Sequence, residues 1–185
     1  MRQDARQNRE RILAAAEAVF GAQGATGSTE EVAKRAGVGI ATVFRHFPTK
    51  DELIEAALVR HFERLAARAD ALAADADPTV AWRILVREMA QTGATKLTLG
   101  SVLSHDRPPA SAVAASNRVK STVDKLLRAA RDAGAVRPTV SVEEVYLLVR
   151  GLAQVTATTP TDADTLDRAI EVVLAGLATD QASTK

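Results

Sequence analysis

Ser28-Thr29-Glu30-Glu31-Val32-Ala33-Lys34-Arg35-Ala36-Gly37-Val38-Gly39-Ile40-Ala41-Thr42-Val43-Phe44-Arg45-His46-Phe47 is the stretch that decides the fold. Ser28 and Glu31 have the spacing of a capping box, each side chain satisfying the other residue's exposed backbone donor, so a short helix opens there. Val32, Ala33 and Ala36 give this helix an apolar side, and Gly37 stops it by taking the left-handed conformation. After Val38-Gly39 a second short helix is expected, with Val43, Phe44 and Phe47 on one side and Pro48 at its end. Two short helices joined by Gly37-Val38-Gly39 make either a plain helical corner or a helix-turn-helix, whose second helix enters the major groove. The polar outward face favours the second reading. It carries Ile40, Ala41, Thr42, Arg45 and His46. Arg45 suits guanine or phosphate, Thr42 suits phosphate, and Ile40 and Ala41 suit thymine methyls. Lys50, at the start of the next helix, joins positive charge to exposed amides and reads as a phosphate clamp.

Outward from this stretch the periodicity stays helical. Upstream, Ile12, Ala15, Ala16, Val19 and Phe20 form one buried stripe that closes near Gly21 to Gly24. Downstream, Thr49 and Glu52 make a second capping box ahead of Leu53, Ile54, Ala57 and Leu58. Asp77-Pro78 opens a helix through Trp82, Leu85, Val86 and Met89. Gly100 and Pro108-Pro109 predict a short helix and a loop between Gly93 and Ala110. A longer helix follows from about Ser111 to Ala133, with Val119, Val123, Leu126 and Leu127 inward and Gly134 as its stop. Ser141 and Glu144 form a third box before Val145, Leu148, Val149 and Leu152, and the last helix follows Pro160. The expectation is an all-α chain of about nine helices. Residues 1–49 form a three-helix head, residues 50–185 form a larger body, and the helix from Lys50 joins them.

Composition narrows the function. The 185 residues are 46% hydrophobic and 25% charged, ordinary for a globular chain able to bury a core. Cysteine is absent, which removes disulfides, thiolate-bound zinc, Fe–S clusters and thiol catalysis. Three histidines (His46, His61, His105) make a histidine-rich metal site improbable, and no metal or cofactor is expected. No apolar run approaches the roughly 18 residues of a membrane span, and Asp4, Glu10 and Glu17 interrupt any signal-like start, so a cytoplasmic location without membrane contact is expected. Residues 1–50 hold eight Lys/Arg against five Asp/Glu, and the remainder sixteen against eighteen, which hints at a polyanion partner for the head. No HExxH, Walker loop or GxSxG occurs, and carboxylates such as Glu143-Glu144, Asp162 and Asp164 sit at helix starts, where capping explains them. An enzyme is therefore not expected, and no catalytic residue is assigned.

Residues 29–53, from Thr29 through Gly37-Val38-Gly39 and Phe44-Arg45-His46-Phe47-Pro48 to Lys50-Asp51-Glu52-Leu53, resemble the DNA-binding signature of the TetR family of transcriptional regulators. Arg11-Ile12-Leu13-Ala14-Ala15-Ala16 to Gly24 is similar to the family's first helix, so the resemblance covers about residues 6–58. It implies that Ile40, Ala41 and Arg45 face bases. It implies also that Thr42, Phe44, His46 and Lys50 contact the backbone, with Thr29 near a phosphate. The family usually has tyrosine at the position of Phe44, with its hydroxyl on a phosphate. Phe44 keeps only packing and van der Waals contact, at a loss of about 1 kcal/mol. The link from Gly24 to Val32 is also one residue shorter than in common members. Arg2, Arg6 and Arg9 either follow the DNA or form a solvated tail.

Leu126 to Pro138, followed by Val142-Glu143-Glu144-Val145, is similar to the regulatory domain of one TetR subgroup. In the family this domain dimerises through its last two helices and often holds a small molecule. Val145, Leu148, Val149 and Leu152, with Leu166, Ile170, Val173, Leu174 and Leu177, offer broad apolar faces, either for a two-fold four-helix interface or for the subunit's own core. Gly151 and Gly176 cost about 1 kcal/mol each within helices, a cost that a close helix crossing would justify. Trp82, Leu85, Val86, Met89, Leu97, Leu103, Val119 and Val123 either line a cavity or close the core, and Thr92, Ser104, His105, Asn117 and Tyr146 are candidate polar anchors. The expected function is a homodimeric repressor of a palindromic double-stranded DNA operator, released by a small apolar or amphipathic effector. A DNA-binding regulator without an effector, or with a protein partner, is the alternative.

Overall fold

The computed structural model describes residues 2–103 and 108–179. Eight α-helices account for most of them: α1 (Arg2–Gln23), α2 (Thr29–Ala36), α3 (Ile40–His46), α4 (Lys50–Asp75), α5 (Pro78–Val102), α6 (Ala110–Asp132), α7 (Val142–Thr158) and α8 (Ala163–Leu177). A 3₁₀ turn, Gly24–Thr26, links α1 to α2. Among the described residues there is one isolated antiparallel bridge, Val136 to Ala178. The fold is all-α. Among the described residues no helix is long and apolar enough to cross a membrane.

The expected short helix after Gly93 is the end of the single 25-residue α5, which passes through Gly100 to Val102, while Leu103, Pro108 and Pro109 lie outside any helix, as the expected loop requires. Gly93 marks a helix crossing: a Cβ there would lie 2.6 Å from that of Ala153 on α7. Gly100 stays within the helix because the fully buried Leu99 beside it anchors that turn. Pattern alone reads such glycines as breakers. Packing decides otherwise.

Two compact units are present. The first comprises residues 1–63 and 94–116. Ile12, Phe20, Val32, Val43, Leu53 and Ile54 are fully buried there and bring α1 to α4 onto one core. Ser28 caps α2 by accepting from the Glu31 amide at 3.1 Å, while the Glu31 carboxylate accepts from Gln23 Nε2 at 2.9 Å. Thr49 caps α4 by accepting from the Glu52 amide at 3.1 Å. The buried Glu17 of α1 accepts from Arg60 Nη1 at 2.7 Å and meets His61 Nδ1 at 2.9 Å, both on α4. Arg60 also reaches Glu10 at 3.2 Å. A buried carboxylate removed from water needs such partners, so these contacts set how α1 lies on α4.

The second unit comprises residues 64–93 and 117–185. Leu85, Val123, Leu126, Leu127, Val145 and Ile170 are buried there. The Ser141–Glu144 capping box is complete in both directions. Hydrogen bonds from the Ser141 amide and hydroxyl hold the Glu144 carboxyl below its ordinary range. Arg87 pairs with Asp167 at 3.2 Å and with Glu171, and Arg83 meets Glu171 at 2.6 Å, lacing α5 to α8.

Candidate nucleic-acid interface

The turn between α2 and α3 follows from its glycines. Gly37 adopts φ 67° and ψ 37°, where a Cβ would be strained. The Val38 amide bonds Ala33 O at 3.1 Å and the Gly37 amide bonds Lys34 O at 3.2 Å, the paired closure of a Schellman end. Gly39 then caps α3 in an extended conformation with no side chain of its own. Val43 and Phe47 are buried and anchor α3 against the first unit. Their burial fixes which side faces out.

That outer side bears Ile40, Ala41, Phe44 and Arg45, all exposed, with Thr42 and His46 half-buried at its flank. Phe44 departs from the expected inward grouping with Val43 and Phe47: it is 44% exposed. One residue on from Val43 is about 100° around the helix, which carries it off the buried side. Thr29 also departs from expectation. At 8% exposed its side chain is withdrawn from solvent, where a phosphate-binding hydroxyl would have to be displayed.

Lys50 is engaged rather than free. Its Nζ donates to Ala25 O at 3.0 Å and lies 5.3 Å from the Phe20 ring centroid, closing the α1–α2 link. Two of the three ammonium donors are left for another acceptor. On α1, the Arg9 guanidinium stacks 5.1 Å over the Phe47 ring, which sets a cation at the end of α3. Arg6 is exposed, and the side chain of Arg2 lies outside the described residues. Arg11 Nη1 would be 3.8 Å from a Cβ on Gly37, so a second cation borders the turn. Sequence reading missed Arg11. Its distance from the turn along the chain hides a proximity that only the α1–α2 packing creates.

The arrangement is an anchored short helix with an exposed outer face that carries Arg45, with Arg9 at its end and Arg11 beside the turn. Residues 12–57 match the family described as bacterial regulatory proteins, tetR family. Residues 77–179 match the C-terminal domain of SbtR-like transcriptional regulators. The chain belongs to the TetR family. It is a DNA-binding transcriptional regulator. Among solved structures, a TetR transcriptional regulator from Streptomyces coelicolor is 29% identical, covering 93% of this chain and 99% of that one, with a TM-score of 0.81. A TetR regulatory protein from Mycobacterium vanbaalenii is 32% identical over 96% and 99%, with a TM-score of 0.78. A transcriptional regulator from Rhodococcus is 26% identical over 91% and 95%, with a TM-score of 0.65. No curated protein matches the sequence.

The body of this TetR-family chain corrects the expected dimer surface. Val145, Val149, Ile170, Leu174 and Leu177 are buried in the subunit's own core. Leu148 is exposed, and Leu152, Leu166 and Val173 are half-buried. The apolar side chains left in solvent include three that sequence reading passed over: Leu147 at 73%, Val155 at 56% and Val172 at 73%. Both α7 and α8 carry more apolar residues than one face can hold. The stripe with the best 3.6-residue period went inward, and the remainder faces out. Gly151 and Gly176 are exposed, with nothing within 4 Å of where a Cβ would stand.

Of the expected pocket residues, Trp82, Leu85, Val86, Met89, Val119 and Val123 are buried in the second unit, whereas Leu97 and Leu103 are half-buried in the first. Tyr146, in the second unit, is half-buried, and its hydroxyl is buried without a hydrogen-bond partner. Burial pushes that hydroxyl's pKa up to about 12, so it stays a neutral donor. Thr92 donates to Glu88 O at 2.8 Å and Asn117 is exposed. Ser104 and His105 lie outside the described residues.

Proposed function

We propose that the protein is a repressor that binds a palindromic operator as a homodimer and leaves it when a small apolar or amphipathic molecule occupies the body. Residues 1–49 act as the reading head and residues 50–185 as the regulatory body. Two α3 helices enter successive major grooves about 34 Å apart. Arg45 meets a base, and Thr42, His46 and the remaining Lys50 donors meet the backbone. The carrying observation is that Val43 and Phe47 are buried while Ile40, Ala41, Phe44 and Arg45 are exposed on α3.

The dimer reading is supported by Leu147, Leu148, Val155 and Val172 in solvent and by the open space at Gly151 and Gly176, where a partner helix can approach closely. The effector reading is supported by the buried Tyr146 hydroxyl of the second unit, which has no hydrogen-bond partner and is a donor that a carbonyl or carboxylate would satisfy. An effector releases DNA only to the extent that it binds the released conformer more tightly. Helix α4, which starts at the head and ends at Asp75, is the natural lever. These roles place the protein beside DNA in the cytoplasm, with no catalytic step.

Selection of bound sequences from a random duplex library tests the head, the spacing and the dimer together. A two-fold symmetric site, bound with a steep salt dependence, is the expected result. Asymmetric sites, or an affinity indifferent to salt, overturn the reading. A metabolite panel scored by melting temperature tests the effector: at least one saturable shift is expected, and none at all removes the effector in favour of a protein-partnered regulator.

A further inference from the structure

We infer that α3 reads its half-site by methyl contact: Ile40, Phe44 and Ala41 form an apolar strip that takes the C5-methyl groups of two adjacent thymines, while Arg45 supplies the single charged base contact beside them. The inference rests on the proposed entry of α3 into the major groove and says what it recognises there.

At about 100° per residue, Ile40, Phe44, Ala41 and Arg45 follow one another around the outer side of α3 in that order. The first three are apolar and exposed, with Ile40 at 37% and Phe44 at 44%. The strip contains no hydroxyl, amide or carboxylate. Gly39 adds no side chain at its start, and the polar Thr42 and His46 lie beyond Arg45, half-buried. Rotation cannot bring other side chains forward, because Val43 and Phe47 are locked in the core.

Such a surface has nothing to offer a phosphate, and pressing it on one would desolvate the phosphate without a hydrogen bond in return. The thymine methyl is the apolar feature on the base edges of the major groove. Ile40 and Phe44 are four residues apart on the same strip, which separates their contacts by about 6 Å along the helix axis, enough to address neighbouring base pairs. Phe44 suits this role better than a tyrosine would, since a phenolic hydroxyl brought against a methyl group loses its water without gaining a partner.

The test uses the site selected from the random library and replaces thymine with deoxyuridine one position at a time, removing the methyl and keeping every hydrogen-bonding group. At two positions next to the guanine whose loss Arg45→Ala tolerates, the intact protein should bind about fourfold more weakly per methyl removed, as burial of one methyl predicts. Ile40→Ala should abolish the uracil effect at one of these positions and Phe44→Ala at the other. Both side chains are exposed, so the variants should keep the melting temperature of the parent. A selected site lacking thymine at both positions overturns methyl readout while leaving DNA reading intact. So does a wild-type affinity that changes less than twofold on uracil substitution, or an effect that persists in both variants. A library that returns no preferred sequence overturns methyl readout and the reading head together.

Discussion

Helix α3 and the pair α7–α8 both leave apolar side chains in solvent, for different physical reasons. On α3 only seven residues are helical, and the buried Val43 and Phe47 use up the inward side, so whatever remains is outward by subtraction. On α7 and α8 apolar residues cover most of the circumference, so the pattern cannot say which are inward. Val145, Val149, Ile170, Leu174 and Leu177 went to the core, and Leu147, Val155 and Val172 were left outside. A sparse pattern on a short helix is therefore more informative than a rich one on a long helix.

Mutations can break this contrast. The largest effect should come from Ile170→Ala, a core truncation expected to cost about 2–5 kcal/mol in denaturant unfolding. If Ile170 faced a partner rather than the core, dilution would change that cost, and constancy with protein concentration is expected. Leu147→Glu combined with Val172→Glu should do the opposite. Self-association measured by light scattering should weaken by about 100-fold or more, through like charges buried at a shared surface, while the helical signal stays unchanged.

On the head, Arg45→Ala should remove about 1–3 kcal/mol of discrimination at one base pair per half-site in competition gel shifts. Lys50→Met should lower the melting temperature, because its ammonium holds Ala25 O. Its remaining donors face the DNA backbone, so affinity should also fall alike for all sequences, and an unchanged affinity would remove it as a phosphate contact. Ser28→Ala should cost about 1 kcal/mol of stability through the lost α2 cap.

The smallest effect concerns acid. Hydrogen bonds hold the carboxyl of Glu144 below its ordinary 4.5 and that of Asp162, bonded to the Thr165 amide and hydroxyl, below its ordinary 3.8. Groups with a lowered folded pKa contribute fully above their unfolded values and lose that contribution as pH falls through the folded ones. Glu144→Gln with Asp162→Asn should thus flatten the decline in stability below about pH 4.5, with little change at pH 7. Both carboxylates are exposed, so the change should be slight.

The caps and stops were legible because they are local. Ser28, Gly37, Ser141 and Asp162 act on backbone groups within three residues, and the α2–turn–α3 unit follows from them. Gly93 and Gly100 misled because a glycine's cost depends on what packs against the helix, which lies far along the chain. The Ala25 acceptor of the Lys50 ammonium was hidden for the same reason: it lies 25 residues away.

By itself the sequence determined the helical class, the turn that sets α3 apart from α2, and Arg45 as a displayed cation, since periodicity and capping are short-range properties of the chain. Only the tertiary structure decided which apolar stripe of α7 and α8 is core, that Thr29 is withdrawn, that Phe44 is displayed, and that Tyr146 keeps a buried hydroxyl without a partner. Burial is a competition among all faces for a limited interior, and no local pattern records its outcome.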